Sequence, residues 1–148
     1  MAELHFSEED WARVARDTEA WWISELERPL VYLAVSEPTA PPHPFSYHSN
    51  YPLDMPAEMV VEQYRPLLAS TRFYADAFPW VWVNFGPGIA AGFLGAQVNS
   101  VTEPSETVWF NPPRQVSVSE LNLVYDAENI WWKRVKDITK AFIDRYGS

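Results

Sequence analysis

Apolar residues recur at spacings of three and four from Trp11 through Val14, Ala15, Thr18, Trp21 and Trp22 to Leu26. This predicts an amphipathic helix from Ser7 to about Glu27. Ser7 and Asp10 have the spacing of a capping box, Glu8, Glu9 and Asp10 suit the positive helix end, and Pro29 stops the helix. The run Leu30-Val31-Tyr32-Leu33-Ala34-Val35 is continuously apolar, the pattern of a strand buried on both faces. From 36 to 56 the chain is polar and broken by Pro38, Pro41, Pro42, Pro44, Pro52 and Pro56, which exclude a helix or central strand there. So long a connection is expected to cover a site or a neighbouring element.

Further elements follow. Pro56 opens a helix over 56–71 that Pro66 should kink or split. Trp80-Val81-Trp82-Val83 reads as a second apolar strand, ending in Asn84-Phe85-Gly86-Pro87-Gly88. The small residues of 89–96 fit a short, closely packed helix or tight loop. Thr107-Val108-Trp109-Phe110 reads as a third strand, stopped by Asn111-Pro112-Pro113. Ser117 and Glu120 repeat the capping-box spacing, and the segment from Leu121 to Tyr125 fits either a strand or a helical turn. An amphipathic helix then runs from Asp126 to Tyr146, burying Trp132, Val135, Ile138, Phe142 and Tyr146, with Gly147 beyond its end. The pattern as a whole is α/β, with three or four buried strands and amphipathic helices in a single domain over 1–148.

Composition narrows the partners. Eleven Lys and Arg against twenty Asp and Glu leave a net charge of −9, so nucleic acid and an anionic membrane surface are not expected partners. All the lysines lie in the last helix, which reads as a solvated basic face on an acidic body. No apolar stretch reaches the roughly 18 residues of a membrane span. The absence of cysteine removes thiolate metal sites, disulfides and cysteine nucleophiles, and with the acidic opening MAELHFSEED it points to a cytoplasmic setting.

Candidate chemistry is sparse. Glycines at a strand exit allow close approach of a ligand, so Asn84, Phe85, Gly86 and Gly88 are the candidate ligand-binding residues; a tight turn needing positive φ explains the same sequence. His43 and His48 could join a carboxylate around a metal, but their spacing matches no ligand motif and His5 is remote, so packed or exposed loop histidines are the simpler reading. Glu8, Glu9 and Asp10, or Glu103 and Glu106, could be acid/base pairs, yet they sit in polar segments where no burial tunes them. Asp126, Glu128 and Asn129 read first as helix caps. The pairs Trp21-Trp22 and Trp131-Trp132 need either a wide cover, from core or partner chain, or a role as aromatic platforms for sugars or flat rings.

Taken together, Glu27-Arg28-Pro29-Leu30-Val31, Phe78-Pro79 through Asn84-Phe85-Gly86-Pro87-Gly88, Leu94-Gly95-Ala96, Thr107-Val108-Trp109-Phe110 and the segment 126–147 resemble the amino-terminal part of a uroporphyrinogen decarboxylase superfamily protein. The similarity is greatest to the uroporphyrinogen-decarboxylase-like group related to corrinoid methyltransferases. It implies part of a (β/α)8 barrel with its ligand at the carboxyl ends of the strands, and the complete family member uses zinc or a corrinoid in its methyltransferase branch. Two departures bear on activity: Ala34-Val35-Ser36-Glu37-Pro38 stands where the decarboxylases carry an arginine-bearing loop, and Phe85-Gly86 stands where they carry the catalytic aspartate. Decarboxylation of an octacarboxylate by this chain is therefore not expected. A (β/α)8 barrel takes about 250 residues. The chain is accordingly expected to be part of a larger barrel or to complete its core by self-association, with no cofactor, catalytic residue or metal ligand of its own. A small-molecule substrate is the partner this implies. The alternative is a non-enzymatic module whose exposed aromatics stack on a carbohydrate or flat ligand.

Overall fold

The Ser7 hydroxyl accepts from the Asp10 amide at 3.1 Å while the Asp10 carboxylate accepts from the Ser7 amide at 3.0 Å, and this reciprocal cap starts the first helix as its sequence predicts. The structure, a computed structural model, describes residues 4–42, 44–101, 106–115, 117–120 and 124–146. His43, Glu103, Leu121 and Gly147, named above, lie outside the described residues. In chain order the elements are α1 (Glu8–Trp22), β1 (Tyr32–Ser36), α2 (Ala57–Glu62), α3 (Arg65–Ala69), β2 (Thr71–Ala75), α4 (Ile89–Phe93), β3 (Gln97–Val101), β4 (Thr107–Asn111) and α5 (Ile130–Tyr146), with short 3-10 turns at His48–Asn50 and Val118–Glu120. The chain mixes helix and strand, and it divides into two compact units: Met1–His43 with Gln63–Val81, and Pro44–Glu62 with Trp82–Ser148.

In the first unit, α1 ends at Trp22 rather than near Glu27. Ser24 takes a left-handed conformation (φ 61°), and the Glu25 and Leu26 amides both donate back to the Ala20 carbonyl, closing the helix several residues before Pro29. The strand expected over 30–35 is β1, and it is not buried: all five of its residues are exposed. Its physical setting explains the correction, because β1 pairs antiparallel with β2 alone, in the register Tyr32 to Ala75 through Ser36 to Thr71. Pro66 does split the helix expected over 56–71, into α2 and α3, but the chain turns extended at Thr71 to form β2, which the periodicity did not predict. Phe6, Trp11, Tyr32, Phe73 and Phe78 meet edge-on or tilted in one aromatic cluster of this unit, with Trp11 and Tyr32 still exposed.

One carboxylate organises the same unit. Asp76 is fully buried and receives both guanidinium nitrogens of Arg28, at 2.7 and 2.8 Å, and the Val31 amide at 2.7 Å. The hydrogen bonds from Arg28 outweigh burial and, with that from Val31, hold the Asp76 carboxyl down at about 2. Arg28 also bonds Asp17 at 3.0 Å, which ties α1 to the entry of β1.

In the second unit α5 packs on α2, with Ile138, Val60 and Val61 fully buried. The helix starts at Ile130, not Asp126, because the Asn129 side chain accepts from the Trp131 and Trp132 amides and so caps it. Ile138 and Phe142 are buried as expected, and so is Arg134, whose guanidinium donates to the carbonyls of Met55 (2.7 Å) and Pro52 (3.2 Å). Burial lowers the Arg134 pKa from its ordinary value. The strand expected at 107–110 is β4, paired antiparallel with β3, which the pattern did not predict. Alternation turns Val98, Val108 and Phe110 inward and leaves Trp109 outward. The strand expected at 80–83 does not form: the segment is irregular, Pro79 precedes it, and the Asn84 amide turns back to the Trp82 carbonyl at 2.8 Å. The four strands therefore form two antiparallel pairs, mostly exposed, rather than a set of buried strands. Among the described residues no helix is long and apolar enough to cross a membrane.

Candidate functional site

Asn84, Phe85, Gly86 and Gly88 come together in one turn of the second unit, held from both sides. The Asn84 carboxamide oxygen accepts from the Gly86 amide at 2.9 Å, a local Asx turn, and its nitrogen donates to the Ser46 carbonyl at 3.3 Å. His48 closes the other side: its backbone amide donates to the Asn84 carbonyl at 2.6 Å, and its Nδ1 accepts from the Asn84 amide at 3.1 Å. The imidazole is buried and stacks on Phe85 with centroids 5.7 Å apart. His48 is thus a packed histidine that fastens the turn to the loop.

The glycines have separate reasons. Gly86 has φ +92°, the left-handed region that favours glycine, and the Phe110 ring and Val108 approach it closely. Gly88 has an ordinary φ of −103°, but a Cβ there would lie 2.4 Å from Cδ2 of Phe110. Both glycines therefore fit against β4. Gly88→Ala should cost about 1–3 kcal/mol, because the Phe110 ring has to leave its rotamer or the turn has to shift. Thermal unfolding of the variant checks this; an unchanged melting temperature would show that the ring yields freely.

The other candidates have structural partners. Glu106 accepts from the Tyr47 amide (3.2 Å) and the Asn50 side chain (2.8 Å), anchoring the proline-rich loop. Asp10 serves the α1 cap, and the Ser7 backbone and side chain hold its pKa down. Asp126 accepts from the Glu128 amide, Glu128 pairs with Lys133, and His5, Glu8 and Glu9 are exposed. The residues present do not fit a zinc site: the chain has no cysteine, His48 is buried against the Asn84 turn, and no three His, Asp or Glu side chains converge among the described residues. A hollow of about 160 Å³ between α2 and α5 is lined by Glu58, Val61, Glu62, Ala141, Asp144 and Arg145, with Arg145 bonded to Glu62 and Asp144 to Lys140. It includes none of residues 84–88.

Two buried charges escaped the sequence reading. Asp76 and Arg28 lie 48 positions apart, and Arg134 reaches carbonyls about 80 positions away, so no local spacing announces either set. Outside the cores the chain is rich in uncovered aromatics: Trp11, Trp21, Trp22, Trp80, Trp82 and Trp109 are all exposed, Trp22 by 74%. Trp21 and Trp22 meet edge to face at 5.2 Å. Comparison with known proteins returned no matching family model, no matching curated protein and no matching solved structure.

Proposed function

We propose that this chain is a binding part, not a self-sufficient catalyst, of a uroporphyrinogen-decarboxylase-like or corrinoid-methyltransferase-like protein of the cytoplasm. The observation that carries the reading is the number of exposed tryptophans in each unit, side chains suited to stack on a flat macrocycle or to pack against the remainder of a larger protein. The engagement of Asp10, Asp76, Glu106 and His48 in structural hydrogen bonds supports the non-catalytic half of it. In this reading residues 84–88 shape one wall of a pocket through their backbone, and any zinc or corrinoid is held by the rest of the protein. Staves of a (β/α)8 barrel run parallel. The antiparallel pairs β1–β2 and β3–β4 would then flank the barrel instead of forming it.

Titration of tryptophan fluorescence with a porphyrin, a corrinoid and a simple sugar tests the proposal. Saturable quenching by a macrocycle, reduced when Trp82 or Trp109 is replaced, is the expected result, without methyl transfer or decarboxylation by the chain alone. Absence of a response to both macrocycles, or clear turnover, would overturn it. A response to the sugar alone would favour the second reading, a non-enzymatic carbohydrate-stacking module, for which the exposed Trp21–Trp22 pair is the specific support.

A further inference from the structure

The free edge of β1 carries an inference that does not depend on the functional reading. The Asp76 amide bonds the Val31 carbonyl at 2.9 Å and the Glu37 amide bonds the Ser70 carbonyl at 3.0 Å, so both ends of the β1–β2 ladder are bonded pairs. Antiparallel ladders alternate. Leu33 with Tyr74 and Val35 with Arg72 are therefore the inner bonded pairs, and the amides and carbonyls of Tyr32, Ala34 and Ser36 point away from β2. None of the described residues bonds those backbone groups. The opposite edge is guarded: the Ala75 carbonyl accepts from the Arg13 guanidinium, and Arg72 supplies a charge to β2.

Edge strands in isolated proteins are protected by charge, proline, a bulge or a covering element. β1 has none of the first three within Tyr32–Ser36, and all its side chains are exposed. Leu33, Val35 and Tyr74 also form an uncovered apolar patch on one face, because they share one side of the pleat across the register.

We propose that β1 pairs antiparallel with β1 of a second copy of this chain, on a two-fold axis through Ala34, to make a continuous four-stranded sheet. The strand is complementary to itself in three respects. An axis at Ala34 sets Tyr32 opposite Ser36 of the second copy and Ala34 opposite Ala34, so every outward-pointing amide meets an outward-pointing carbonyl, up to about six hydrogen bonds. Leu33 falls opposite Val35 of the second copy, which doubles the apolar patch on one face. Glu37 falls opposite Val31, so no like charges face each other along the seam. Other strands could use the same edge, but only the second copy is supplied with the matching parity, apolar pairing and charge by the sequence itself.

Sedimentation or light scattering across a dilution series is the test. The chain is expected to reach twice its monomer mass at high concentration, and Ala34→Pro to stay monomeric with an unchanged far-ultraviolet spectrum, because the Ala34 amide has no part in the β1–β2 ladder. Leu33→Lys, a charge on the exposed face, should also be monomeric, and it decides the matter if Ala34→Pro loses its native spectrum. Hydrogen exchange adds a residue-level readout: the Tyr32, Ala34 and Ser36 amides should gain protection with concentration, whereas those of Leu33 and Val35 are protected throughout. A chain that stays monomeric across the series, a Leu33→Lys variant that still doubles in mass, or concentration-independent exchange at Ala34 would overturn the proposal.

Discussion

Arg28→Ala is expected to destabilise the first unit, because it removes the paired hydrogen bonds that hold the buried Asp76 carboxylate. The variant strands the Asp76 carboxylate, which has no exposed surface and would keep only the Val31 amide and more distant help from Arg13. The Arg28 side chain is itself 46% exposed, so water can follow into the space it leaves and temper the loss. Arg28→Lys should recover only part of the loss, since an ammonium cannot donate the paired bonds at 2.7 and 2.8 Å. The effect has a pH signature. Folding depresses the Asp76 carboxyl from 3.8 to about 2, so its contribution is fully present above about pH 4 and is lost as pH falls through 2. Urea denaturation of wild type and variant at neutral pH and in acid checks both points: the gap between them should close toward pH 2. A gap that stays constant into acid would assign the loss to packing of the Arg28 stem rather than to charge.

Ile138→Ala should destabilise the second unit by about 3–4 kcal/mol, because its side chain is fully buried on the face of α5 that packs against α2. Ile138→Val should cost about 1 kcal/mol. The contrast is Ile143, five residues farther along on the opposite side of the helix and 60% exposed, whose replacement by alanine should stay within about 0.5 kcal/mol. Denaturant midpoints of the three variants measure this. Equal losses at 138 and 143 would mean that the exposed side of α5 is covered in solution.

The elements best read in advance are those whose causes are local. The Ser7–Asp10 cap, the break at Pro66, the β4 strand ending before Pro112 and the face of α5 bearing Ile138 and Phe142 all depend on residues within one or two turns of each other. Of the candidate site, the Asn84 to Gly88 turn was legible as a turn, since Gly86 does take a positive φ. What Gly88 faces was not legible, because the Phe110 ring comes from another element. β2 and β3 went unseen for a related reason: Thr71-Arg72-Phe73-Tyr74-Ala75 and Gln97-Val98-Asn99-Ser100-Val101 become strands by pairing with β1 and β4, not by a burial pattern of their own.

The sequence by itself determined the caps, the proline breaks, the amphipathic faces of the long helices and the acidic, cysteine-free chemistry, because these follow from residue type and short spacing. Tertiary structure decided which apolar runs are covered. Leu30 to Val35 and Trp80 to Val83 have the hydrophobicity of interior strands, yet β1 has one neighbour and lies exposed, while the 80–83 segment finds no ladder at all. An apolar run states only that burial would be favourable; whether a neighbour arrives to supply it, as Arg28 does for Asp76 and α2 for Ile138, is set by contacts between residues far apart in the chain.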